Sequence, residues 1–124
     1  TEPRGFTNTG AALKVAAEAA QRSRSGRTLV YLITDGLPEA YTKNGEDVAG
    51  HPDKAMAYAK EQARHLARER NVAGFVMLLL EPKDELYVKS AEALAKEARG
   101  RVIAVDPAEL ARTLLKELRA PIEA

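Results

Sequence analysis

The sequence predicts an α/β fold of three layers (α/β/α), in which helices cover a parallel, Rossmann-like sheet of about three strands. Three segments predict the strands, because each is short and almost continuously apolar, as strands covered on both faces are: residues 28–34, 73–80 and 101–105. Helical periodicity lies before, between and after these segments. The resulting order, α-β-α-β-α-β-α, favours parallel strands joined by right-handed crossovers.

The four helices are predicted from apolar residues that recur at helical spacing. Gly100 is expected at the C-cap of the third helix, and Asp106 is expected to cap the last helix, which Pro107 begins. The polar segment from Leu37 to about Gly50 is predicted to be irregular and to leave the carboxyl end of the first strand. The helices extend over residues 9 to about 24, 52 to about 70, 86 to about 99 and 107 to about 118.

Length and charge limit the classes of protein to which the chain can belong. With 124 residues it is long enough for one domain but short for a complete doubly wound one. The absence of Cys excludes a disulfide scaffold and a thiol nucleophile. The net charge of +1, from 19 basic and 18 acidic side chains, argues against a nucleic-acid binder. Without a long apolar run or a signal peptide, we expect no membrane span and a cytoplasmic location.

Candidate ligand-binding residues are found where the first strand ends, since open parallel sheets bind ligands at the carboxyl ends of their strands. Asp35 follows that strand and is expected to face a ligand, and Gly36 allows a tight turn. Thr7 offers a hydroxyl before the first helix, where Asn8 or Thr9 is a natural N-cap. Two interpretations stay open: a capped helix with a plain loop, or a site for a hard divalent cation, which prefers oxygen ligands.

Two sequence blocks carry a resemblance to a known family. They are Gly-Phe-Thr-Asn-Thr-Gly-Ala-Ala-Leu at residues 5–13 and Leu-Val-Tyr-Leu-Ile-Thr-Asp-Gly-Leu-Pro at residues 29–38. In this order they resemble the later part of a von Willebrand factor type A (vWA) domain. The metal-ion-dependent adhesion site of that family combines an Asp-x-Ser-x-Ser segment, a Thr and an Asp. The resemblance implies that Thr7 and Asp35 are metal ligands, and that Thr9 is a helix cap or lies just behind the ligands.

The resemblance extends over the whole chain. Residues 75–78, 92–95 and 100–103 are similar to those of bacterial members found alongside MoxR-type AAA+ ATPases. This resemblance implies a module whose Mg²⁺ or Mn²⁺ completes its coordination with an acidic residue of a partner protein, and an AAA+ ATPase as one class of partner. Glu39, in the loop after Asp35, is expected to frame that site.

The chain departs from the family because it contains no Asp-x-Ser-x-Ser; its serines are Ser23, Ser25 and Ser90. The opening strand, first helix and antiparallel hairpin of the family are missing too, so residues 1–124 resemble the C-terminal half of a vWA domain. The chain begins with Thr1, and we therefore expect a processed or trimmed chain or a fragment. Two oxygen ligands leave most of an octahedral shell to water, which predicts weak or no metal binding by this chain alone.

The missing strand has a consequence for the first strand that is present. Without its neighbour, Thr28–Thr34 is expected to be a long, apolar sheet edge without a pairing strand. Such an edge favours pairing with another chain. We therefore expect a homodimer, a domain swap or a complementing chain at this edge.

Three functions compete at this stage. The leading hypothesis is a binding module and not an enzyme. The alternative is a small doubly wound α/β enzyme that uses Asp35 as a Mg²⁺ ligand or nucleophile, although the phosphate-binding loops Gly-x-x-x-x-Gly-Lys-Ser/Thr and Gly-x-Gly-x-x-Gly are both missing. The third is a structural half-domain that only oligomerises.

Overall fold

The computed structural model describes residues 8–23, 27–34, 37–82 and 84–119. All the predicted strands and helices are present, and the last helix begins with a 3-10 turn at Pro107–Glu109. None of the helices in these ranges is both long and apolar enough to cross a membrane. The elements are α1 (Thr9–Arg22), β1 (Thr28–Thr34), β2 (Ala40–Lys43), β3 (Glu46–Ala49), α2 (Pro52–Arg68), β4 (Val72–Leu80), α3 (Glu85–Glu97), β5 (Arg101–Val105) and α4 (Leu110–Arg119).

The main sheet has three parallel strands in the order β1-β4-β5, which confirms the predicted parallel sheet. Val30 lies opposite Phe75, and Met77 lies opposite Val102, so the apolar residues of the three strands meet in register. The central strand, β4, is the longest and the most apolar, as a strand with neighbours on both sides requires.

One face of this sheet, which we call the covered face, carries the main core. Phe75, Met77 and Leu79 alternate along β4, so all three point to this face, and each is at most 3% exposed. They belong to one cluster with buried residues of α1, α2 and α3. The helices, with the C-cap residue of α3, contribute mainly small side chains, which lets them approach the sheet closely: Leu13, Ala17, Ala59, Ala63, Leu66, Ala91, Leu94, Ala95 and Ala98.

The opposite face, which we call the α4 face, is covered less completely. Leu78 is fully buried there, but Leu29 and Ile33 of β1 are 38% and 42% exposed. The side chain of Arg101 pairs with Glu117 of α4. Since Arg101 precedes Val102, which packs against the main cluster, alternation along β5 places α4 on the second face. Helices on both faces confirm the three-layer prediction.

The segment after β1 is not irregular, contrary to the prediction for residues 37–50. It contains the antiparallel hairpin β2–β3, which turns at Asn44 and Gly45. Both turn residues have positive φ, 52° and 80°, as a type I′ turn requires. The Asn-Gly pair is therefore the signal that identifies the hairpin. Ala40 of β2 is fully buried, so the hairpin packs against the body of the domain.

The close crossing of α1 and α2 depends on Gly10 in the first turn of α1. A Cβ atom added at Gly10 would overlap the ring of Tyr58 in α2. Gly10 is also buried, so a side chain at this position has no route into solvent. This steric requirement explains a glycine at a helical position that otherwise favours alanine.

The end of α3 differs from the prediction that Gly100 caps it. The C-cap is Ala98, and Arg99 has the left-handed φ of 58° that usually belongs to glycine. The backbone N–H groups of Arg99 and Gly100 donate to the carbonyls of Lys96 and Ala95, at 3.0 and 2.7 Å, which forms a Schellman motif. Gly100 is instead required by packing, because a Cβ atom there would overlap Phe75.

Candidate functional site

The carboxyl end of the sheet is ordered by hydrogen bonds at two strand exits. After β4, Glu81 adopts a positive φ of 40°, and its N–H donates to the carbonyl of Val105 at 3.0 Å. After β5, the Asp106 carboxylate accepts from the N–H of Ala108 at 2.9 Å. Asp106 therefore caps the turn that leads into α4, as predicted. Its side chain stabilises the backbone there, and Glu81 is left as an exposed carboxylate at this end.

The amino end of α1 is fixed to the hairpin by one side chain, Asn8. Its amide oxygen accepts from the N–H of Ala11 at 2.9 Å, which caps the helix. Its amide nitrogen donates to the hydroxyl of Thr42 at 3.0 Å and to the carboxylate of Asp47 at 2.8 Å. Two of these three hydrogen bonds thus join the start of α1 to both strands of the hairpin, and the third caps the helix.

Of the two residues predicted as the cap of α1, the structure selects Asn8 and not Thr9. Asn8 is the N-cap, because it directly precedes the helix and its Oδ1 accepts from the free N–H of Ala11, whereas Thr9 is already the first helical residue. Thr9 is only 3% exposed, so its side chain is enclosed at the start of the helix. Its alternative role, a position behind the metal ligands, stays a prediction.

Three of the predicted site residues, Thr7, Asp35 and Gly36, lie outside the described residues. Glu39 is described: it is exposed and directly precedes β2. In the described ranges, no three His, Asp or Glu side chains are grouped as a metal site needs. The assignment of Thr7 and Asp35 as metal ligands therefore stays a prediction, and so does the framing role of Glu39.

Sequence reasoning missed the hairpin side chains Thr42 and Asp47, which hold Asn8. Tyr41 of the same hairpin packs edge-on against His51, with ring centroids 6.4 Å apart. The hairpin therefore bridges from the start of α1 to the residue before α2. The Asn-Gly turn between two short alternating segments was the available signal, but the strands are short and polar and resemble a loop.

A second candidate site is the outer edge of β1. The strand pairs with β4 on one side, and no other strand in the described part of the chain lies along its second side. Leu29 and Ile33, on the α4 face of this strand, are the two exposed large apolar side chains of the sheet. An apolar edge strand of seven residues is a template for another strand.

A parallel sheet with helices on both faces and its candidate ligand site at the carboxyl ends of the strands defines the doubly wound α/β class. Within this class, the family model described as "Rv0959-like protein, vWA domain" matches residues 1–118. The chain therefore belongs to this family of vWA domains, which confirms the resemblance deduced from the two motif blocks. A search of the curated proteins found no match. The closer resemblance to members found alongside MoxR-type ATPases stays a prediction.

Proposed function

We propose that this vWA domain is an interaction module that binds a partner protein at the carboxyl end of its sheet, through a divalent cation. The observation that carries the proposal is the family match over residues 1–118, because that range includes both motif blocks. The hydrogen bonds of Asn8 support it further, since they anchor the helix that follows Thr7 to the hairpin that follows Asp35. The proposed chemistry is coordination and not turnover.

The donor set fits a hard cation. Thr7 offers a hydroxyl oxygen and Asp35 a carboxylate, and these are the ligand types that Mg²⁺ and Mn²⁺ take. An acidic side chain of the partner and water would supply the remaining ligands. Affinity for the metal alone should therefore be low, and partner binding should strengthen it by the same factor by which the metal strengthens partner binding.

Calorimetric titration with Mg²⁺ and with Mn²⁺ tests the metal site. We expect weak binding that is lost in Asp35→Ala and reduced in Thr7→Ala. Asp53→Ala, which removes an exposed carboxylate from α2, is the matched control and should bind the metal unchanged. If the wild-type protein takes up neither ion, alone or with a partner, the metal-dependent binding module is excluded. The structural half-domain that only oligomerises then becomes the leading hypothesis.

The proposal includes a second chain or segment that completes the sheet along β1. The exposed Leu29 and Ile33 support it, because apolar side chains on an edge strand gain most from being covered. The occupant is a second copy of this chain, as a homodimer or domain swap, or a complementing chain.

For the partner bound through the metal, an AAA+ ATPase is the class that the resemblance implies.

Light scattering during size-exclusion chromatography tests this completion. We expect an assembly larger than a monomer, and a monomer for the variant Leu29→Lys/Ile33→Lys. The control variant, Val15→Lys/Leu86→Lys, adds the same charges at apolar residues of α1 and α3 that are more exposed than Leu29 and Ile33, and it should keep the assembly. A wild-type chain that stays monomeric at all concentrations contradicts self-association. The same measurement on a mixture of this chain with a candidate complementing chain then tests whether that chain pairs with β1.

The enzyme hypothesis is separated from this proposal by a phosphatase assay with Mg²⁺. Turnover that is lost in Asp35→Ala would favour the doubly wound enzyme, in which Asp35 is a Mg²⁺ ligand or nucleophile. We expect no turnover together with metal-dependent partner binding.

A further inference from the structure

A groove lies between the carboxyl-terminal halves of α2 and α3, and it is strongly basic. Its volume is about 580 Å³, and it is wide open to solvent. Ala67 and Ala93 form part of its wall, and their small side chains make the surface concave. We call it the basic groove, and its charged residues are Arg64, Arg68, Lys96, Glu97 and Arg99.

The positive charge of the basic groove is not neutralised within the described part of the chain. Its one acidic residue, Glu97, is already paired with Arg64 at 3.4 Å. Arg68, Lys96 and Arg99 are exposed and have no ion-pair partner among the described residues. Three cations therefore face one concave surface in a chain whose net charge is only +1.

The backbone at Arg99 gives an independent reason to assign a function to this groove. Arg99 occupies the left-handed position of the Schellman motif, where glycine is favoured and a side chain costs stability. The chain nevertheless has arginine there, and Arg99 also lines a neighbouring groove of about 320 Å³ that continues to Arg101. A residue less favourable than glycine for the turn thus adds a cation where two grooves meet.

The basic groove lies far from the candidate metal site. Helices α2 and α3 end directly before β4 and β5 begin, so the groove is at the amino ends of the strands. The metal site is expected at their carboxyl ends. The two ends of β4 are about 26 Å apart, at 3.3 Å per residue.

We propose that the basic groove binds an acidic segment of a partner protein, with carboxylates of that segment on Arg68, Lys96 and Arg99. An extended segment fits because the groove is open and its cations follow one another from α2 to the end of α3. A nucleic acid fits less well, since none of the described residues that line the groove is aromatic and able to stack on a base. This surface is separate from the metal-dependent one and does not rest on it.

Fluorescence anisotropy with a labelled hexaglutamate peptide tests the proposal on the whole chain. We expect binding that weakens as salt rises and persists in EDTA, whereas hexaglutamine does not bind. Each of the substitutions Arg68→Ser, Lys96→Ser and Arg99→Gly should weaken binding by about two- to fivefold, and the triple variant by about tenfold or more. The control, Lys14→Ser/Lys43→Ser/Lys54→Ser, removes the same charge elsewhere and should bind within about twofold of wild type.

Arg99→Gly separates binding from stability. Glycine suits the left-handed position, so this variant should melt at the same or a higher temperature while it loses affinity for the peptide. Equal affinity of Arg99→Gly and wild type, or an equal loss in the lysine control, overturns the proposal. An oligonucleotide of equal charge that binds more tightly than hexaglutamate, with the same dependence on the three cations, overturns it in favour of a nucleic acid. Binding of inorganic phosphate alone at equal affinity overturns it in favour of a simple anion site.

Discussion

The two faces of the sheet differ in how completely they are covered. On the covered face, Met77 and Leu79 lie beneath three helices and are each 1% exposed. On the α4 face, Leu29 and Ile33 remain more than one-third exposed, although they belong to a strand that is also largely apolar. Both faces have apolar residues typical of a buried sheet, but among the described elements only the covered face has enough helices to bury them. The difference supports the proposal that a second chain or segment covers the α4 face beside β1.

The largest expected effect comes from the same substitution made on each face. Leu79→Ala should lower the free energy of unfolding by about 2–5 kcal/mol, because it leaves a cavity under packed helices. Leu29→Ala should cost less than about 1 kcal/mol in the monomer, since Leu29 is already 38% exposed. Urea unfolding at several protein concentrations measures both values. A large cost at Leu29 that grows with concentration would mean that a second chain covers this face.

The crossing of α1 and α2 above the covered face should also be sensitive to volume. Gly10→Ala is expected to destabilise the protein by about 1–3 kcal/mol through overlap with Tyr58, although alanine is the better helix former. In a Tyr58→Ala background the overlap is gone, so the same change should be neutral or stabilising. A double-mutant cycle by thermal unfolding measures this coupling. Equal costs in both backgrounds would show that α1 and α2 do not depend on this close approach.

Loss of Asn8 should have a smaller effect, at the edge of the covered face where α1 begins. Asn8→Ala removes the cap and both bonds to the hairpin, and it should cost about 1–2 kcal/mol. Asp84→Ala, which removes only the cap of α3, is the control. Hydrogen exchange should accelerate in β2 and β3 for the Asn8 variant alone. Unchanged exchange in the hairpin would mean that its packing through Ala40 is sufficient.

The sequence predicted what depends on local pattern and could not predict what depends on long-range packing. Periodicity identified the three strands and four helices, because a buried strand and an amphipathic helix each impose their own spacing. It did not show that three helices share one face, since that is decided by contacts between distant segments. The cap of α1 was left open between Asn8 and Thr9 because both residue types cap helices. The left-handed backbone at Arg99 was not predicted, because the neighbouring Gly100 was expected to cap the helix. Gly100 is instead required by its contact with Phe75, which is far away in sequence.

The smallest expected effect concerns the helix that partly covers the α4 face. Glu117→Gln should cost less than about 1 kcal/mol, because its partner Arg101 is largely exposed and the pair is screened by solvent. The pair nevertheless links α4 to the sheet, so amide exchange should accelerate in residues 110–119 and remain unchanged in β4. Glu97→Gln, which removes the comparable pair with Arg64, should leave α4 unaffected. Unchanged exchange in α4 would instead mean that apolar contacts alone hold it. The weak cover on this face would then come from missing neighbours along β1 and not from a loosely held α4.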